Sequence, residues 1–261
     1  MSASVLPFQV FEVPSNWRTL EFISDLHLYE KNTATFLRWQ RYMQETTADA
    51  VFILGDLFEV WVGDDSVAEN PFLSQCAEVL KLAAQKKHVA FMRGNRDFLV
   101  GALFLNTCQV TDLSDPTVLQ WGDARWLLSH GDEACIDDVD YQVFRRMVRS
   151  SAWQQNFLSK PLAEREQIAR DLRSQSESHK QDATSTYADV DTGWAQHWLA
   201  QTQSDCLLHG HTHRPADHAL GQHPEIQRRV LSDWDLDGTK PRAEVLRWHA
   251  NGLVERINLL T

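Results

Sequence analysis

The residues of this 261-residue chain whose types and spacing could do chemistry stand in five short groups: Asp25 and His27, Asp56, Asn95 and Arg96, His130 and Asp132, and His211 and His213. In an extended turn, residues two apart project to one side, so Asp25 with His27, and His211 with His213, can converge on one ion. Asp56 has two carboxylate oxygens and can bridge two ions. Asn95 offers a neutral amide oxygen that a hard divalent cation accepts. Arg96 offers a planar fork that donates to two phosphoryl oxygens at once. Imidazole and oxygen donors without a thiolate suit an octahedral divalent ion better than a closed tetrahedral zinc site. Two such ions about 3.5–4 Å apart can share a hydroxide, lower its pKa and clamp a phosphorus for in-line attack. No G-x-S-x-G or Walker motif competes with this reading. Taken singly, each group has a plain alternative as a turn, a cap or a solvated surface charge.

Every group follows an apolar run. Residues 20–23, 50–54, 88–92, 125–129 and 205–208 read as buried strands, and strand exits are where α/β sheets place their chemistry. Helical spacing appears at 33–46, where Thr33 or Thr35 can cap, and at 72–86. Residues 98–120 read as a short helix and one further strand. The carboxylates of Gly63-Asp64-Asp65-Ser66 read as a solvated loop. Between 136 and 200 the alternation stops: Tyr141, Phe144 and Val148, then Ile168 and Leu172, recur at helical spacing. This insertion is basic, with eight Lys/Arg against four Asp/Glu over 141–180. Segments 229–232, 243–248 and 253–259 alternate as antiparallel strands, with hairpin turns at Asp237-Gly238 and Asn251-Gly252. Residues 1–19 read as an N-terminal extension, and 20–261 as one domain carrying the insertion.

Composition narrows the classes. A net charge of −11 argues against a nucleic-acid binder, which needs a basic face. No run of 18 apolar residues is present to span a membrane, and the start lacks a signal-peptide pattern. The cysteines Cys76, Cys108, Cys135 and Cys206 form no C-x-x-C pair and are expected reduced and mostly buried, as in a cytoplasmic protein. The ten Trp fit either a core or an apolar groove.

Taken in order, D-x-H at 25–27, G-D at 55–56, G-N-R-D at 94–97, H-G-D at 130–132 and G-H-T-H at 210–213 resemble the calcineurin-like metallophosphoesterases. The resemblance implies an α/β sandwich of two mixed sheets flanked by helices. One metal would be held by Asp25, His27, Asp56 and His213, the other by Asp56, Asn95, His130 and His211. His209 lies outside the motif and reads as structural. Most of the family has G-N-H at the third motif, so Arg96 in place of that His is a departure, and with Asn95 it is a candidate catalytic residue. Arg96, the G-D-L-F-E-x-W stretch, Asp137-Asp138 and the helical insertion are similar to the lipid A-pathway branch, which cleaves a UDP-diacylglucosamine to UMP and 2,3-diacylglucosamine 1-phosphate. That likeness implies Mn2+ and a lid over acyl chains. It also implies a protein bound peripherally to the cytoplasmic face of the inner membrane. Substrate contacts would fall on Asn95, Arg96, Asp138, Ser176, Lys180 and His211, with Ala183 where a second basic residue is expected. The alternatives are another dinuclear phosphodiesterase acting on nucleotides, or a metal-binding scaffold without activity.

Overall fold

In the computed structural model, residues 8–181, 188–220 and 223–260 are described, with backbone placement alone for 174–181 and 223–225. The chain begins with strands β1 (Gln9–Glu12) and β2 (Thr19–Ile23), helix α1 (Thr33–Glu45) and strand β3 (Ala50–Leu54). Helices α2 (Ser66–Glu69) and α3 (Pro71–Ala84), strand β4 (His88–Met92) and helix α4 (Ala102–Cys108) follow. Strands β5 (Thr111–Leu113), β6 (Thr117–Trp121) and β7 (Ala124–Ser129) lead into four helices: α5 (Val139–Val148), α6 (Ser151–Leu158), α7 (Leu162–Gln181) and α8 (Thr192–Thr202). Strands β8 (Cys206–His209), β9 (Ala216–Leu220), β10 (His223–Val230), β11 (Glu244–His249) and β12 (Val254–Asn258) complete it.

These strands form two mixed six-stranded sheets, ordered β12-β11-β2-β3-β4-β5 and β1-β6-β7-β8-β10-β9. In the first, β2, β3 and β4 run parallel and in step, with Ile23 beside Ile53 and Ile53 beside Phe91. In the second, β7 and β8 are parallel, with Ser129 beside His209. Parallel pairing in register brings all the chain exits to one edge of each sheet. The inner faces pack on each other through Phe22, Phe52, Leu128, Leu208, Trp126 and Trp248, the last two stacked at 3.9 Å. Helices α1, α3 and α4 cover the outer face of the first sheet, and α8 covers the second. All ten Trp pack into these three cores, so the tryptophans build the interior rather than line a groove. The four cysteines are free and buried.

Several local expectations need correction. Part of the N-terminal extension is strand β1, paired with β6; its four residues are too short a run to register in the sequence. Residues 98–120 hold two strands, not one, and β9 was not foreseen because its polar alternation faces outward as a sheet edge. The insertion over 136–200 is divided, since α8 flanks the second sheet and only α5–α7 lie apart from it. Asp237-Gly238 joins no two strands of a sheet and lies in a loop closed by an antiparallel bridge between Asp235 and Arg242. Asp237 instead accepts from the backbone N–H of Ala34 and Thr35, so the cap of α1 is supplied from a distant loop. Asp64 is likewise no solvated carboxylate. It accepts from Trp61 Nε1 and from the backbone N–H of Gly101 and Phe104, at 2.8–3.1 Å, and so caps α4.

Asp64→Ala leaves those three donors unpaired in a partly buried setting. Chemical denaturation should show a loss of about 2–4 kcal/mol with an unchanged denaturant slope. A midpoint equal to wild type would show that solvent satisfies the donors.

Candidate metal centre

The turns after β2, β3, β4, β7 and β8 meet where the two sheets present their strand exits. The structure brings all seven expected ligand side chains together there, in two clusters joined by one carboxylate. In the first cluster, His27 Nε2 lies 3.3 Å from His213 Nε2, and His213 Nε2 lies 3.3 Å from Asp25 Oδ1. Asp56 Oδ2 is 4.0 Å from His27 Nε2. In the second, Asn95 Oδ1 is 2.9 Å from His130 Nε2 and 2.8 Å from His211 Nδ1. Asp56 Oδ1 is 3.7 Å from His130 Nε2. The two oxygens of Asp56 therefore face different clusters, the geometry a bridging ligand needs.

The local backbone is shaped for this. Asp25, His27, Asp56, His211 and His213 all adopt positive φ, between 49° and 64°. Only Gln109 and Gln203, each ending a helix, share that conformation among the other described non-glycine residues. Such a φ is strained for a side-chain-bearing residue and persists where the surroundings impose it. A ladder of backbone bonds does so here: Asp25 N–H to Gly55 O, His27 N–H to Asp56 O and Leu28 N–H to Leu57 O, at 2.8–3.1 Å. Glycine is required beside the carboxylates. A Cβ at Gly94 would overlap Asp56, and one at Gly210 would overlap Ser24 and Asp25.

Supporting groups orient the ligands. His130 Nδ1 meets Leu54 O at 2.9 Å, which sets the tautomer that leaves Nε2 for an ion. Asp25 Oδ2 accepts from Ser24 Oγ and from His211 N–H. Asp97, fully buried, accepts from Gly94 and Leu57 N–H at 2.8 Å each, tying the Asp56 turn to the Asn95 turn. Burial and the neighbouring Asp56 charge push its carboxyl up to about 6. Asp132 receives Tyr141 Oη at 2.5 Å and Arg145 Nε at 2.8 Å, and the Tyr141 ring stacks over His211.

The electrostatics favour a cation. Burial depresses His130, yet Asp56, Asp25 and Asp132 outweigh it and raise the imidazole to about 9. Burial and the neighbouring His130 push His211 down to about 3. Burial alone would raise Asp25, but the His213 hydrogen bond and three imidazole charges hold it well below the usual carboxylate range. Carboxylates and imidazoles thus face one another with lone pairs converging. Asp25, His27 and His213, and separately Asp25, Asp56 and His130, offer atoms within 4.8 Å of one another. The donors present fit hard or borderline divalent ions.

The model of the calcineurin-like phosphoesterase family matches residues 20–215, a span that contains every one of these ligands. The chain belongs to the calcineurin-like phosphoesterases. Among the relatives of this phosphoesterase is the UDP-2,3-diacylglucosamine hydrolase of Aromatoleum aromaticum, 41% identical over 88% of this chain and 93% of the relative. Proteins of the same name from Chromobacterium violaceum and Coxiella burnetii are 43% and 40% identical. They cover 82% and 90% of this chain, and 90% and 95% of the relatives.

The remaining expected contacts fall differently. Arg96 lies at the rim, its backbone N–H bonded to Asp56 Oδ1 at 2.8 Å. Asp138 is exposed and accepts from the backbone N–H of Tyr141, whose ring stacks over His211, as the cap of α5. The side chains of Ser176 and Lys180, and Ala183 altogether, lie outside the described residues. His209 is buried with Nδ1 at Gly210 O, a structural placement. Sequence reasoning assigned no role to Glu59 or Asp97, although both stand inside quoted motifs; an acidic residue one to three positions from a ligand was the available signal.

The phosphoesterase should purify with two divalent ions per chain, read by elemental analysis after gel filtration. Asp56→Ala should carry none and Asn95→Ala one. Two ions retained in Asp56→Ala would remove its bridging role.

Proposed function

We propose that this phosphoesterase hydrolyses the pyrophosphate bond of UDP-2,3-diacylglucosamine to UMP and 2,3-diacylglucosamine 1-phosphate, the step that forms lipid X on the way to lipid A. The observation that carries the reading is that relatives named for this substrate match over about nine-tenths of both chains, the insertion included. We further propose Mn2+ as the ion in both positions, because the donors are imidazole and oxygen without thiolate.

Asp25, His27, Asp56 and His213 would hold one ion, and Asp56, Asn95, His130 and His211 the other. When bound, the pair supplies an activated hydroxide and neutralises charge on the phosphoryl oxygens. The chain's own residues do the rest. Asn95 and His211 would contact the phosphoryl group as well. Arg96, beside Asn95, aims a fixed cation where charge grows at the α-phosphorus, an interaction worth more in the transition state than in the ground state. Helices α5–α7 serve as a lid over the acyl chains, which cost about 0.8 kcal/mol per CH₂ left in water.

The lid's charge requires a revised view of docking. Arg145 pairs with Asp132 and Glu133, Arg149 donates to Gly94 O, and Arg165 pairs with Asp65 and reaches Val62 O. These arginines clasp the lid to the core and are not offered to a membrane. The outward face of α5 carries Val139, Val143 and Met147, 65%, 55% and 49% exposed at i, i+4 and i+8, with exposed Arg146 beside them. No helix among the described residues is long and apolar enough to cross a membrane. Exposed Asp137, Asp138 and Asp140 border the stripe at its other end, so its apolar surface rather than its charge would carry peripheral attachment, here to the cytoplasmic face of the inner membrane.

The Mn2+-loaded protein incubated with UDP-2,3-diacylglucosamine in ¹⁸O-water should release UMP carrying the label. Label in the lipid phosphate alone would place attack on the other phosphorus. Cleavage of a simple aryl phosphodiester but not of the lipid would make the protein a general phosphodiesterase. In the same assay, Arg96→Ala should keep its metal and lose about a hundredfold in kcat; a raised KM with normal kcat would mean uniform binding instead. Replacing Val139, Val143 and Met147 together with Ser should reduce sedimentation with phosphatidylglycerol vesicles at low salt. Unchanged sedimentation would sink the attachment proposal.

A further inference from the structure

The turn that delivers Asp56 continues through Leu57 and Phe58 to Glu59. A parallel bridge between Leu28 and Phe58, and a bond from Glu59 N–H to Leu28 O, lock this stretch beside the turn that delivers His27. The Glu59 side chain is consequently fixed and only 11% exposed. Its Oε2 lies 3.1 Å from His27 Nδ1, with the ring N–H directed to one side of the oxygen. Its Oε1 lies 3.3 Å from Arg173 Nη2 and 3.9 Å from Arg96 Nη1. One carboxylate therefore touches a ligand of the first cluster, the arginine at the rim of the second, and an arginine of the lid helix α7. Arg173 also lies over the Tyr29 ring, 5.9 Å from its centroid, so it approaches from the lid side against the His27 turn.

We propose that Glu59 is a positioning residue that joins the lid to the metal centre and presents Arg96 and Arg173 together to the phosphate groups of the substrate. Two physical arguments carry this. A carboxylate can only accept, so its negative charge 3.1 Å from His27 Nδ1 favours the tautomer with the proton on that nitrogen and leaves the Nε2 lone pair for the ion. Its other oxygen is shared between two guanidiniums, each with five N–H donors. The contact to Arg96 is 3.9 Å, so that guanidinium keeps donors for phosphoryl oxygens, and Arg173 brings a second positive charge against the same carboxylate. A like-charged pair of arginines would otherwise separate, and α7 would lose its contact with the site. The proposal rests on the phosphoryl-transfer reading above for its substrate, but its test does not.

The test uses the full-length protein with Glu59→Gln, Glu59→Ala, Arg173→Ala and the Glu59→Gln/Arg173→Ala double variant. Mn2+ binding is measured by calorimetry on metal-stripped protein. Inorganic phosphate binding to the Mn2+-loaded protein is measured separately. Glu59→Ala should weaken one of the two Mn2+ sites by about tenfold or more. Glu59→Gln keeps an amide oxygen for Nδ1–H and should bind Mn2+ almost as wild type, while its phosphate affinity falls by about tenfold. Once Arg173→Ala is present, Glu59→Gln should cost distinctly less than it does alone, because the two act as one unit. The proposal is overturned if Glu59→Ala binds both ions as tightly as wild type. It is equally overturned if the Gln and Arg173 losses of phosphate affinity simply multiply. If wild type fails to cleave UDP-2,3-diacylglucosamine, the substrate assignment falls, while both binding measurements still judge Glu59.

Discussion

Burying a carboxylate costs several kcal/mol unless opposite charge and hydrogen bonds compensate. Asp56 is buried at the junction of the two sheets, and its compensation comes from both sides at once. Imidazoles approach each oxygen, at 4.0 Å from His27 and 3.7 Å from His130. The Arg96 N–H caps Oδ1. The surrounding design follows from that one buried charge. The exits of β3, β2 and β7 must converge on it, so β2 and β3 are parallel neighbours and β7 faces them from the other sheet. Gly94 must lack a side chain, because Asp56 occupies the space a Cβ would take. A second buried carboxylate, Asp97, holds the two turns together from behind through four backbone N–H groups, those of Asp56, Leu57, Phe58 and Gly94. Divalent ions between these clusters would complete a balance that the side chains leave tilted toward negative charge.

The same junction stores backbone strain. Five of the seven expected ligands sit at positive φ, a conformation that costs about 1–3 kcal/mol each where it is not enforced. The sandwich core supplies the enforcement. Apolar strands with Phe22, Phe52 and Leu208 fully buried stop immediately before the strained turns, so the turns start from fixed points. The ligands are thereby set before any ion arrives, which reduces the reorganisation that binding would demand.

Local features of this architecture were legible in the sequence and long-range ones were not. Each expected ligand stands within four residues of the strand that presents it, so apolar run plus polar turn revealed both the strands and the candidate ligands. The pairing of Asp237 with the start of α1 spans about two hundred residues, and that of Asp64 with α4 about forty. No periodicity records such contacts, and both carboxylates read as ordinary turn residues. Strands β1 and β9 escaped for a related reason. They are edges, short and polar on their open side, and an edge strand that avoids pairing with other chains must look like a loop. Glu59 was visible but unreadable. Its neighbours His27, Arg96 and Arg173 come from three separate segments, and only the fold places them around one side chain.

The basic insertion shows how composition can mislead about direction. An excess of Lys/Arg on amphipathic helices reads naturally as a surface for anionic lipid. In the fold, Arg145, Arg149, Arg165 and Arg173 turn inward to Asp132, Gly94 O, Asp65 and Glu59. An acidic centre built around these carboxylates needs nearby cations, and the insertion brings them while Phe157, Trp153, Leu162 and Ile168 pack into the core of the first sheet. The attachment is therefore divided: charge joins the insertion to the centre, apolar side chains of α6 and α7 join it to the core of the first sheet, and the outward stripe of α5 stays exposed. This division also suits a substrate with a charged head and greasy tails. The head would meet arginines already gathered at the metal edge, where desolvation strengthens each contact, and the chains would meet apolar surface on the same three helices.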